Sequence, residues 1–270
     1  IIPSDYMIAR LISEDMLEPL NFDNIPNFSD IDPELKNPEY DPENLYSVPY
    51  MWGLMGVIYN TAMVDEADLG SWDLLWNEKY AGDIVMIDNS RDAIGIALKS
   101  LGYSYNTTDE TQIVEAVDLL IQQRPILQGY VMDEIFGKLE GGNAAIGTYY
   151  YGDYLTMLES NPDLGFYLPE EGTNIYVDAM CIPKGAANKE NAEIFIDYMC
   201  STEAGLKNCE EIWYSTPLLS VRDALDPEVA SDPLAYPDSS ILAKCESYAG
   251  LPQNILGLYD SEWTRLKSMT

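Results

Sequence analysis

The stretch Asp83–Ser100, DIVMIDNSRDAIGIALKS, changes character in its middle. Residues 83–88 form a short apolar run closed by aspartates, which suits a strand buried on both faces. From Arg91 to about Gly102 the apolar residues recur at helical spacing. Strand then helix, with the strand fully buried, is the signature of an α/β layer. Working outward, the same alternation continues. SWDLLWNEKYAG (71–82) reads as a short helix capped by Ser71. Thr107 and Glu110 read as a capping box for a helix to about Gln123. Val131–Leu139 reads as a helix, AAIGTYY as a strand and Tyr151–Glu159 as a helix. GFYLP and NIYVDAMCIP are strands. Helices follow over Asn188–Cys200, with Ala192, Phe195, Ile196 and Met199 at core spacing, and over Thr202–Ile212. Ile255, Tyr259, Trp263 and Leu266 mark one face of a terminal helix. Upstream, Ser4 or Asp5 caps a helix to about Met16. SVPYMWGLMGVIYN (47–60) is a strand with a flexible point at Gly53 or Gly56.

The totals exclude several classes of function. The chain has 270 residues, 47% of them hydrophobic, which is enough for two units with their own cores. Fourteen basic residues against 46 acidic ones give a net charge of −32. Such a field repels nucleic acid and attracts cations. There is no histidine, so the common general base, the usual base of a nucleophile pair and the commonest transition-metal ligand are missing. No apolar run reaches the roughly 20 residues needed to span a bilayer. None of the four cysteines, Cys181, Cys200, Cys209 and Cys245, sits in a C-x-x-C pair. A Cys200–Cys209 disulfide across a helix break is open, against four buried free thiols.

Three places invite a ligand. Tyr149, Tyr150 and Tyr151 lie where a strand becomes a helix, and alternation turns Tyr150 away from its neighbours. Such strand ends are where open α/β sheets bind ligands. The other reading is core and surface rings. Tyr176 and Asp178 share one face of an apolar strand, where a lone carboxylate is costly unless a cation, donors or water meet it. A ring beside an acid suits an alkylammonium group; a paired structural aspartate is the alternative. In DNSRDA (88–93), Asp88 or Ser90 can cap the helix, while Asp92, one turn in, is free to face a cleft.

These pieces resemble the spermidine/putrescine-binding receptors of polyamine ABC transporters. The matching stretches are IIPSDYMIARLISEDMLEPL, NFSDIDPE, YSVPYMWGLMGVIYN, residues 71–109, EGTNIYVDAMCIPKGAANKENAEIFIDYM and WYSTPLLSVRDAL, in family order. The resemblance implies an α/β, two-lobed binding protein of the type II class with hinge crossings. It implies a polyamine held between the lobes by aromatic rings and carboxylates, no chemistry and no cofactor. The lobes are expected as 1–55 and 177–222 for the first and 56–176 for the second, with 223–270 packing on the second. Crossings are expected near 53–58, 176–179 and 222, with no single uninterrupted sheet. Carried over residue by residue, Ser4 and Tyr6 line the cleft, Asp92 holds an amine end and Asn89 stands at a second acid position, where neighbouring Asp88 could substitute. Tyr150 and Tyr176 stand at two tryptophan positions, Asp178 at the ammonium-binding aspartate and Tyr214 at a cleft tyrosine. A glutamine near the C terminus has no clear counterpart; Gln253 is a guess.

The family's first strand and helix are missing from the chain, so lobe one is expected to be truncated. A dimer through that lobe and fusion to the permease both follow as expectations. The location implied is extracytoplasmic, periplasmic or at the cell surface in association with the membrane. Two other readings remain: a ferric-ion or other cation receptor of the same fold using the tandem tyrosines, and a hydrolase using Asp92 and Asp178 as its carboxylate pair.

Overall fold

The pivot of the fold is β1 (Ser47–Asn60), a 14-residue strand whose residues are almost all buried. A computed structural model describes residues 1–269. Within it the chain divides into two compact units. The first comprises 1–53, 175–237 and 247–250; the second comprises 54–174, 238–246 and 251–270. The chain therefore leaves the first unit after Pro237, rather than near Arg222, and the stretch 223–237 belongs to that unit. β1 runs through both.

Five further strands are β2 (Ile84–Ile87), β3 (Leu127–Val131), β4 (Ile146–Tyr150), β5 (Leu164–Tyr167) and β6 (Ile175–Cys181). Their order is β3-β2-β4-β1-β5, and β6 pairs with β1. β2 lies parallel to β3 and β4, as its continuous apolar run implies. β1 lies antiparallel to β4 and β5. Because β1 is shared, all six strands join in one hydrogen-bonded sheet, which corrects the expectation of separate sheets.

The helices are α1 (Asp5–Ser13), α2 (Ser90–Ser100), α3 (Glu110–Gln123), α4 (Glu134–Glu140), α5 (Tyr151–Ser160), α6 (Lys189–Met199), α7 (Thr202–Ile212), α8 (Leu219–Ala224), α9 (Pro227–Ala230), α10 (Ser239–Leu242) and α11 (Gln253–Ser268). In the second unit, α2 buries every residue from Arg91 to Leu98. Ile94, Ile96 and Leu98 are fully enclosed, each worth roughly 1.5–3 kcal/mol over exposure. α3 and α11 pack with it. In the first unit, Ile25, Val48, Met51, Met180, Ile196 and Val221 belong to one core cluster. Cys200 and Cys209 join that cluster as free thiols, not as a disulfide. Burial pushes the Cys181 and Cys200 thiols up to about 12, so both stay neutral.

Several local expectations are corrected. Residues 71–82 are not an α-helix but two 3₁₀ turns, Trp72–Trp76 and Glu78–Tyr80, the first capped by Ser71. Asp109, not Thr107, caps α3; the Thr107 hydroxyl is engaged by Gln112. Val131 ends a strand, and the helix begins at Glu134. Phe195 is 57% exposed, because α6 turns Glu193 inward instead. That carboxylate is buried but satisfied: it accepts from the Asn21 backbone at 2.8 Å and the Asn24 amide at 2.7 Å. Cys245, unlike the other cysteines, is only half-buried.

Candidate functional site

In the first unit, β6 carries Tyr176 and Asp178 on one face. Ser4 forms an isolated antiparallel bridge with Asp178, and its Oγ donates to Asp178 Oδ1 at 2.6 Å. Ser4 thus occupies the N-cap position of α1 without capping it by side chain. Asp178 is mostly enclosed, and burial raises its carboxyl pKa; the Ser4 hydroxyl pulls the other way without cancelling it. Its charged form is therefore under-compensated as it stands.

Tyr176 is buried against β1. A Cβ on Gly53 would lie 2.6 Å from the Tyr176 hydroxyl, so Gly53 makes room for the ring rather than serving merely as a flexible point. Tyr214 meets Tyr176 edge-on, with ring centroids 5.6 Å apart. Tyr6 meets Tyr248 in the same manner at 5.9 Å. Asp5, fully buried, accepts from the Tyr6 backbone at 2.7 Å and so fixes the start of α1. Ser4, Tyr6, Tyr176, Asp178 and Tyr214 are thus all set in one unit by a single strand, one helix start and the turn after α7.

In the second unit, Asp92 lies in the first turn of α2 and is only 2% exposed. The Tyr150 hydroxyl donates to its Oδ2 at 3.1 Å. Tyr150 is the last residue of β4, and the Tyr149 ring stays beside its own, with centroids 5.1 Å apart, so strand alternation does not separate the two. Tyr149 donates to Asp133 at 3.3 Å, and Tyr151 packs against Phe166 with centroids 5.0 Å apart. Burial raises the Tyr149 phenol well above its ordinary pKa.

Two residues are drawn into structural work. Asn89, and not Asp88 or Ser90, caps α2: its Oδ1 accepts from the Arg91 amide at 2.9 Å. Asp88 is paired with Lys267 at 2.8 Å. Gln253 opens α11 on the surface. Sequence reading missed Tyr248, Asp133 and Lys267, and saw Gly53 only as a flexible point. Their partners lie far away along the chain, so no local spacing announces them.

Each unit therefore presents a carboxylate with aromatic rings, a chemistry suited to alkylammonium groups. Among the described residues no cluster of three or more His, Cys, Asp or Glu is placed to hold a metal ion, and no helix is long and apolar enough to cross a membrane.

Comparison with known proteins meets this geometry. The spermidine/putrescine-binding periplasmic protein of Escherichia coli K12 is 31% identical over 272 residues, covering 99% of this chain and 77% of that protein. The putrescine-binding periplasmic protein PotF of the same organism is 24% identical, covering 99% of this chain and 78% of its own length. The spermidine/putrescine ABC transporter substrate-binding protein PotD from Streptococcus pneumoniae, solved with calcium and HEPES, superposes with a TM-score of 0.88. It is 38% identical, covering 98% of this chain and 82% of that one. The family model described as bacterial extracellular solute-binding protein matches residues 2–245. The chain belongs to the bacterial extracellular solute-binding protein family and has the α/β fold of its polyamine-binding members.

Proposed function

We propose that the protein is the extracytoplasmic receptor of a polyamine ABC transporter, binding putrescine or spermidine without chemical change. The observation that carries this reading is Asp178: an enclosed, under-compensated carboxylate with an aromatic neighbour, in a chain so similar to spermidine/putrescine-binding proteins. An ammonium group supplies the missing positive charge, and Tyr176 and Tyr214 supply ring faces and edges for the adjoining methylenes. Asp92 with Tyr150 takes a second ammonium. Ser4 and Tyr6 complete the first cluster; Asn89 and Asp88 support the second through the cap and the Lys267 pair. The partner is the transporter's permease, whether separate or fused, at the membrane. A dimer is tested by sedimentation.

The tandem tyrosines fit a ferric-ion receptor less well. Tyr149 is directed to Asp133 and its pKa is raised, which opposes the phenolate a ferric ligand needs. The hydrolase reading has its two carboxylates in different compact units. Titration calorimetry with putrescine, spermidine and ferric citrate separates these readings. Polyamine heat with none from ferric citrate is the expected result; the reverse overturns the proposal.

Two predictions arise here. Tyr176→Ala is expected to weaken polyamine binding by about 1–2 kcal/mol, since water replaces part of a cation–π contact. Calorimetry checks it, and an unchanged affinity removes Tyr176 from the site. The second concerns pH. Asp178 has a folded-state pKa above the ordinary 3.8, so protons compete with an ammonium ligand at a higher pH than at an exposed aspartate. Polyamine affinity should fall as the pH drops through that raised value, and binding there should release protons. Titrations in buffers of different ionisation enthalpy measure that release, and Asp178→Asn should abolish it.

A further inference from the structure

β1 holds two glycines, Gly53 and Gly56. Neither has the positive φ that would demand the residue, and a glycine inside a strand weakens it. Each is therefore explained by what its missing side chain leaves free. At Gly56 the neighbours lie outside the candidate site: an added Cβ would fall 2.3 Å from the Phe166 ring and 2.6 Å from the Tyr167 carbonyl oxygen. Gly53 has a different neighbour. The three atoms nearest its Cβ position all belong to the Tyr176 side chain, the hydroxyl at 2.6 Å, Cζ at 2.9 Å and Cε1 at 3.1 Å. The space that Gly53 leaves is filled by that one phenol.

The same short stretch of β1 also anchors the second ring. Tyr214 meets Tyr176 edge-on, with centroids 5.6 Å apart. The next residue, Ser215, forms an antiparallel bridge with Trp52, and the Thr216 carbonyl accepts the Trp52 indole N–H at 3.2 Å. Trp52 therefore ties down the segment that carries Tyr214, and Gly53 seats Tyr176. The place in the chain matters too. β1 leaves the first unit immediately after Gly53, and the chain re-enters that unit at Ile175, one residue before Tyr176. A cation–π contact depends on where the ring lies. A ring seated before the ligand arrives also saves the cost of ordering it on binding.

We propose that Gly53 is a positioning residue of the ligand site: its bare Cα sets the depth at which the Tyr176 ring lies, and so the reach of that ring to an alkylammonium ligand. This rests on the polyamine-receptor reading. The test is a double-mutant cycle on the full chain: parent, Gly53→Ala, Tyr176→Ala and the two changes together, by calorimetry with putrescine and spermidine alongside thermal melting. The alanine methyl lifts the ring from its seat, so Gly53→Ala should lose about three- to tenfold in affinity, and no more than Tyr176→Ala itself. With the ring gone the methyl displaces nothing, so adding Gly53→Ala to Tyr176→Ala should change affinity by less than about twofold. A glycine kept for the fold alone gives another pattern, a lower melting temperature with parental affinity. Parental affinity in Gly53→Ala, or the same loss in both backgrounds, overturns the proposal and leaves the receptor reading intact. Should Gly53→Ala alone fail to fold, Tyr176→Phe removes the atom at 2.6 Å and makes room for the methyl. Gly53→Ala is then measured in the Tyr176→Phe background, where a loss of about twofold or more is expected and equal affinity overturns the proposal. A parent that binds no polyamine overturns both.

Discussion

Asp178→Asn is expected to lower polyamine affinity by about 30- to 1000-fold, the largest effect of any single substitution on binding. The change keeps the shape of the side chain and the acceptor for the Ser4 hydroxyl, 2.6 Å away, and removes only the charge. Losing a charge-assisted hydrogen bond to a desolvated ammonium costs roughly 2–4 kcal/mol. Stability should move the other way. A carboxyl whose folded pKa lies above its unfolded value binds protons more tightly when folded, so its stabilising contribution is lost as pH rises through that pKa. At neutral pH the ionised Asp178 therefore opposes folding, and asparagine should melt at or above the parent temperature. Calorimetry and circular dichroism read the two effects separately. Binding within threefold of the parent would make the carboxylate structural and remove it from the site.

Gly172→Ala is expected to be among the most destabilising of small substitutions, at roughly 3–5 kcal/mol. Gly172 has φ +89°, and an added Cβ would fall 1.9 Å from the Lys244 carbonyl oxygen and 2.6 Å from its carbon. Backbone cannot step aside as a flexible side chain can. The same short segment is tied on either side: Gly172 accepts the Trp72 indole N–H at 3.0 Å, and the Thr173 carbonyl accepts from Glu246 at 3.0 Å. Gly82 is the internal control. Its φ is +88°, but nothing lies within 4 Å of its Cβ position, so Gly82→Ala should cost only the backbone term, about 1 kcal/mol. Melting curves compare the two; equal losses would refute the clash at Lys244.

Much of this fold is written locally. The apolar run 47–60 appears as β1 over that same span, and the switch of periodicity after residue 88 marks the β2–α2 junction, because burial of both elements leaves no choice of face. What escaped is set by distant partners or weak signals. β3, LQGYV, is a half-exposed edge strand with a glycine inside it, so its pattern is faint. Phe195 looks like core by spacing, but the pull of Asn21 and Asn24 on Glu193 sets the rotation of α6. The site was legible where strand alternation puts Tyr176 and Asp178 on one face. It was not legible at Asp88, whose role depends on Lys267, 179 positions away. The left-handed turn at Trp213 has no sequence signal, since tryptophan is among the last residues expected there.

The path of the chain also sets a timetable for synthesis. Neither unit is a continuous segment: the first needs residues 247–250 and the second needs 251–270 to be complete. A ribosome adding roughly 5–20 residues per second makes both closing segments only after every other part of the two units. Tyr248 and α11 must be delivered before either core can seal around Tyr6 or α3, so the nascent chain is an open intermediate until α11 has been made. Over that interval both units expose apolar surface that folding will later cover.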